Sequence, residues 1–182
     1  MDAKVKFAKV KEGAIIPSKR EEDMGFDIYA CFDEDYIVLE PNEVKLIPTG
    51  IASACNPEYG FLLRERGSTG SKGLALRAGV IDSGFRNMWW VCLSNITDHD
   101  IFITKLSAEE TIEKHYDSKR YGDFDANFWE YVRKNVCYPY SKAIAQILIV
   151  PVPHVAVEEI SYDELKAIKS ERGMNALGSS NK

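Results

Sequence analysis

The chain has 182 residues, 45% hydrophobic and 28% charged, which suits one domain with its own core and excludes a wholly disordered or fibrous chain. Its net charge of −5, from 23 basic and 28 acidic residues, argues against nucleic acid as a partner, because counterion release needs a basic face. No window approaches the ~18 apolar residues of a membrane span, and no apolar leader follows Met1, so neither a membrane nor a signal peptide is expected.

Short apolar runs punctuated by Gly, Pro, Asn and Asp dominate the first hundred residues. Lys4–Val10 reads as a strand, followed by a turn at Lys11-Glu12-Gly13. Ile37–Leu39 is stopped by Pro41; Val44–Ile47 and Ile51–Ala54 flank Pro48-Thr49-Gly50. Phe61–Leu63, Trp89–Leu93 and Ile101–Thr104 continue the series, and Ile144–Pro151 and the alternating Val155–Ile160 close it. This spacing predicts an all-β sandwich or barrel. Ser107–Asn135 breaks the pattern. Ser107 precedes Glu109 and Glu110 as an N-cap precedes first-turn acids, and Phe124, Phe128 and Tyr131 recur at helical spacing, so residues 105–140 read as a helical insertion ended by Tyr138-Pro139-Tyr140. A second short helix is expected at Tyr162–Ser170, capped by Ser161. Cys31, Cys55, Cys92 and Cys137 lack CxxC spacing and read as reduced thiols of a cytoplasmic protein.

Five segments carry residue types suited to chemistry. Asp23 and Asp27 flank Gly25, and in extended backbone residues four apart share a face; the alternative is a loop of solvated acids. Arg64–Gly73 gathers three Gly, three hydroxyls and three Arg or Lys besides Glu65, a composition that can cradle phosphate, although the Walker spacing is absent; otherwise it is a polar turn. Ala78–Asn87 reads as a β-hairpin whose tip displays Asp82 and Phe85, where Asp82 either deprotonates a water or caps the turn. Gln146 interrupts the buried run Ala143–Ile149 and must find partners there. Glu171–Lys182 is Gly- and Ser-rich with an Arg, either anion-binding or a frayed end.

Taken in order, the five segments resemble the five motifs of the homotrimeric dUTPase family. Asp23–Ala30 is similar to D-x-G-x-D-L-x-A, Arg66–Lys72 keeps the Arg-to-Lys spacing of the second motif, and Ala78–Asn87 is similar to A-G-x-I-D-x-x-Y-R-G. Ile144-Ala145-Gln146 is the I-A-Q of the fourth motif, and Arg172–Asn181 resembles R-G-x-x-G-F-G-S-T-G. The resemblance spans most of the chain apart from residues 105–140. It implies an all-β, β-clip or distorted jelly-roll barrel over residues 1–182, carrying the 105–140 helical insertion, one short C-terminal helix and a flexible active-site tail at 171–182. It further implies Mg²⁺-dependent hydrolysis of dUTP to dUMP and pyrophosphate, which keeps uracil out of DNA.

The same resemblance assigns roles. Asp82 orients the water that attacks the α-phosphorus. Phe85 stands for the Tyr that packs under the deoxyribose, and the backbone at Val80 and Ile81 pairs with uracil. Arg66, Gly67 and Ser68 contact phosphate, Gln146 lines the site, and Asp27 holds a water of the Mg²⁺ shell. Arg172, Gly178 and Ser179 wrap the triphosphate from the tail. Four positions depart from the family pattern. Gly67 stands at a Ser position and Ala143 at a basic one, with Lys142 adjacent. Leu177 replaces a Phe that stacks on uracil, and Asn87 replaces a Gly, where Asn would suit a left-handed backbone. Weaker or slower hydrolysis than in a standard member is therefore expected.

Two other functions compete. A dUTPase-fold binding or regulatory protein would use the 105–140 insertion as its surface for a protein partner, but would not need Asp82 and Arg172. A dCTP deaminase needs a Glu where alignment on Asp82 places Cys92, and a thiol serves that proton shuttle poorly.

Overall fold

The computed structural model describes residues 4–116, 124–171 and 173. The chain divides into two compact units, Met1–Val152 and Pro153–Lys182. Among the described residues of the first, the strands are β1 (Lys6–Lys9), β2 (Phe26–Ile28), β3 (Tyr36–Leu39), β4 (Val44–Pro48), β5 (Ile51–Ala54), β6 (Tyr59–Arg64), β7 (Leu74–Arg77), β8 (Val80–Ile81), β9 (Trp90–Asn95), β10 (Ile101–Thr104), β11 (Val136–Pro139) and β12 (Ala145–Pro151). Three helices interrupt them: α1 (Gly67–Gly70), α2 (Ala108–His115) and α3 (Phe124–Lys134).

The strands form four small sheets, ordered β2-β12-β6-β8, β4-β9-β7, β11-β10-β3 and β1-β5. They share one core, with Leu39, Ile47, Leu74, Val91, Ile101 and Ile147 fully buried. The all-β reading therefore holds. The sheet order matters for function: β12 lies between β2 and β6, with Gln146 opposite both Asp27 and Arg64. Three motifs that are far apart in sequence thus meet at one end of three adjacent strands.

Between β10 and β11 the chain makes a helical crossover, as a parallel pair requires; Ile101 faces Val136 and Thr104 faces Pro139. Ser107 caps α2, its Oγ accepting from the Glu110 amide at 3.2 Å while Glu110 Oε2 accepts from the Ser107 amide at 3.0 Å. This reciprocal pair satisfies two amides that would otherwise lack partners. Ile112 and Tyr131, from the two helices, pack with Phe102 of β10 and with Tyr36 and Val38 of β3 in a second apolar cluster. The Tyr131 hydroxyl also donates to the buried Asp100 carboxylate.

Two expectations change. Val80–Ile81 does not form a hairpin with the strand that follows; it pairs with Phe61–Leu62 of β6. Gly79 explains the docking: its carbonyl accepts from Leu63 N at 2.7 Å, and a Cβ on it would sit 2.7 Å from Leu63 O. Val155–Ile160 alternates in sequence but has no regular structure, and alternation alone supplies no partner for a backbone ladder. It belongs to the second unit, in which every described residue is exposed. That unit contains α4 (Tyr162–Ala167), whose Ser161 cap accepts from the Glu164 amide.

Candidate active site

One open cleft of about 880 Å³ is lined by Asp27, Arg66, Gly67, Ser68 and Gln146, together with residues preceding β2 and β12. Arg66 forks onto Asp27, with Nε 2.8 Å from Oδ1 and Nη2 3.2 Å from Oδ2. Its Nη1 reaches Ser68 Oγ at 3.3 Å and Ala143 O at 3.4 Å. All three guanidinium nitrogens are therefore held by the protein beside the open cleft. The phosphate-type loop is ordered as the short helix α1, in which the Thr69 hydroxyl accepts from Arg66 N at 3.2 Å and donates to Arg66 O at 3.1 Å. A Cβ on Gly67 would meet nothing within 4 Å, so that side is clear for a ligand.

Gln146 is fixed by donating Nε2 to Glu65 O at 2.8 Å. Gly25 is required for this, because a side chain there would run into the Gln146 amide. Asp23 also faces the cleft, forked by Arg20 through Nε at 2.9 Å and Nη2 at 2.8 Å. These side-chain hydrogen bonds hold the Asp23 carboxyl below its ordinary pKa and raise that of Arg20.

Asp82, Val80, Ile81 and Phe85 line a different cleft of about 310 Å³, with Leu46, Met88 and Trp90. The register shows how far apart the two are. Ile81 lies opposite Phe61, which puts Asp82 beside Gly60, six residues before Arg66. At ~3.3 Å per residue that is about 20 Å. Arg66 and Asp82 therefore stand in separate clefts that share no lining residue.

Arg172, Gly178 and Ser179 lie outside the described residues, as does Leu177. Asn87 does not take a left-handed backbone. Ala78 has that conformation instead, with φ 50°, and Asn87 Oδ1 accepts from Met88 N at 2.7 Å. Ala143 is buried, its carbonyl facing Arg66, while the exposed Lys142 lines the cleft. Sequence reasoning missed Ser18, Lys19 and Ser141, which also line it. No motif marks them; only the closeness of Ser18 and Lys19 to Asp23 pointed their way.

Among the described residues no cluster of three or more His, Cys, Asp or Glu can hold a metal ion, and no helix is long and apolar enough to cross a membrane. Asp27, already shared with Arg66, keeps lone pairs suited to a water of a hydrated cation rather than to an all-protein cage.

The chain thus sets Arg, Asp, Ser and an amide around one cleft, and a separate Asp beside an aromatic ring in another. A family model described as dUTPase matches residues 11–108. A deoxyuridine 5'-triphosphate nucleotidohydrolase of Wolbachia pipientis (strain wPip) is 31% identical over 97% of this chain and 95% of that relative. One from Leptospira interrogans is 34% identical over 55% of this chain and 71% of its own length. The chain belongs to the dUTPase family. Among solved structures, a Staphylococcus bacteriophage 80alpha dUTPase mutant with dUpNHpp aligns over 98% of this chain and 99% of its own, with a TM-score of 0.67 at 21% identity. A phage phi11 dUTPase mutant, described with a structural Mg(II) ion, aligns over 88% of this chain and 99% of its own, with a TM-score of 0.61 at 23% identity.

Proposed function

We propose that the chain is a dUTP diphosphatase whose active site is completed between neighbouring copies in a homotrimer. It hydrolyses dUTP to dUMP and pyrophosphate. Arg66, Ser68 and the open backbone at Gly67 hold the phosphates, with Gln146 beside them and Arg172, Gly178 and Ser179 wrapping from the tail. From a neighbouring copy, Asp82 orients the water that attacks the α-phosphorus and accepts its proton. Phe85 packs under the deoxyribose, and the Val80–Ile81 backbone pairs with uracil. Asp27 would hold Mg²⁺ through water, and that ion would neutralise charge on the phosphates. The four free cysteines suit a reducing cytoplasm.

The observation that carries the reading is the division of the machinery between two clefts that share no lining residue, with Asp82 beside Gly60, six residues before Arg66. On this reading a triphosphate pinned at Arg66 meets its attacking water when Asp82 comes from another copy. The test is complementation. Asp82→Asn and Arg66→Ala are each expected to bind or turn over dUTP poorly alone. Refolding them together should restore activity at about a quarter of the sites, the fraction that random mixing of copies rebuilds. Failure to recover any activity, or near wild-type turnover by Asp82→Asn alone, would overturn the reading.

A further inference from the structure

The crossover that carries α2 and α3 returns to the β-structure through β11, and β11 sets a buried side chain against residues that line the Arg66 cleft. Tyr138 is 1% exposed and among the largest fully buried side chains. Its hydroxyl is 2.8 Å from Ala143 O and 3.2 Å from Ser68 Oγ. Both neighbours are also within reach of Arg66 Nη1, at 3.4 and 3.3 Å. Tyr138, Ser68, Arg66 and Ala143 thus close a ring of four hydrogen bonds directly beneath the cleft.

A phenol has one proton and a serine hydroxyl one. With the phenol donating to Ala143 O at the shorter distance, Ser68 must donate to the phenol and accept from Arg66. In that arrangement the Ser68 proton faces away from an incoming anion. The ring has a second arrangement in which nothing is orphaned. The phenol turns its proton onto Ser68 Oγ, Ser68 turns its own toward a phosphate oxygen, and Arg66 Nη1 keeps Ala143 O satisfied. Only rotation about two C–O bonds is involved. In this second state Ser68 receives hydrogen bonds from Tyr138 and Arg66, which polarises its own donation to the phosphate.

We propose that Tyr138 is a positioning residue for the triphosphate, acting through the Ser68 hydroxyl, so that the strand returning from the helical crossover sets the phosphate end of the site. This rests on reading the cleft as the triphosphate site. Replacing Tyr138 by Phe removes one oxygen and leaves the ring packing in place.

The test measures binding of inorganic triphosphate by calorimetry, together with KM and kcat for dUTP and inhibition by deoxyuridine, which carries no phosphate. Tyr138→Phe should weaken triphosphate binding and raise KM about fivefold, the loss of one hydrogen bond, with deoxyuridine affinity unchanged. In a Ser68→Ala background the same substitution should have no further effect. Unchanged triphosphate affinity, equal weakening of triphosphate and deoxyuridine, or an undiminished effect in Ser68→Ala would each overturn the inference, and thermal melting of every variant separates lost fold from lost binding. A wild-type protein that binds triphosphate yet leaves dUTP intact would refute the proposed function while the triphosphate affinities still decide the role of Tyr138. One that binds no triphosphate would overturn both.

Discussion

Gly25→Ala isolates the contact that holds Gln146 in the cleft. The Gly25 backbone is not left-handed, so alanine is tolerated there by the main chain. The added methyl, however, would fall 3.0 Å from Gln146 Cδ and 3.1 Å from its Cβ, and still closer to Oε1. Gln146 must swing away and surrender its 2.8 Å bond to Glu65 O. An orphaned, partly buried carbonyl costs about 1–3 kcal/mol. Reduced freedom of the unfolded chain returns about 0.4–1 kcal/mol of that. The net loss is about 1–2 kcal/mol, which for a chain of this size lowers Tm by about 2–8 °C. Calorimetry on the variant gives the shift, and a cycle with Gln146→Ala identifies its origin. With the amide already gone only the 3.1 Å approach to the Cβ of residue 146 remains, so Gly25→Ala should cost clearly less. An equal loss in both backgrounds, or no loss in either, would refute the reasoning.

Three further outcomes are expected. Ile112→Ala should cost about 2–5 kcal/mol in chemical denaturation, because Ile112 is fully buried in the cluster that joins α2 and α3 to β3 and β10. Burial pushes the Cys137 thiol up from 9.0 to about 11, so iodoacetamide labelling should stay slow through mildly alkaline pH and accelerate only near the raised value. The folded state holds this proton more tightly than the unfolded one, so the associated stability is fully present below pH 9.0 and is lost as pH rises toward about 11. Lys142→Ala should raise KM for dUTP several-fold at low salt and less at high salt, as the screening of an exposed cation requires.

What the sequence disclosed depended on whether a signal was local. The caps at Ser107 and Ser161 are properties of four consecutive residues, and both helices begin where those residues place them. The apolar runs at Ile51–Ala54 and Ile101–Thr104 are strands with those bounds. Arg66, Ser68, Asp27 and Gln146 were recognisable through motif order, and the order β2-β12-β6 gathers them. Pairing choices were not legible. Nothing in Val80-Ile81 announces β6 as its partner rather than the following strand, and Leu74–Arg77 reads as a strand only once β9 is beside it. In sequence Tyr138 is only part of a helix-ending Tyr-Pro-Tyr, because its contacts are with Ala143 and with Ser68, seventy residues away.

On the proposed function, the second cleft would connect assembly to chemistry. Val80 is 76% exposed, Leu46 57%, Trp90 45% and Phe85 42%, and all four surround Asp82. Contiguous apolar surface of this kind is costly to leave in water and usually marks a contact. Covering it by a neighbouring copy would exclude water from around Asp82 and strengthen every charge interaction there. On the proposed reading the same contact would bring Asp82 to the neighbour's Arg66 cleft. On the proposed assembly, then, the burial that stabilises the trimer also completes the site. Dilution below the dissociation constant should therefore abolish turnover per chain rather than reduce it in proportion to partial unfolding. A chain that kept its specific activity as light scattering reported a monomer would break that link.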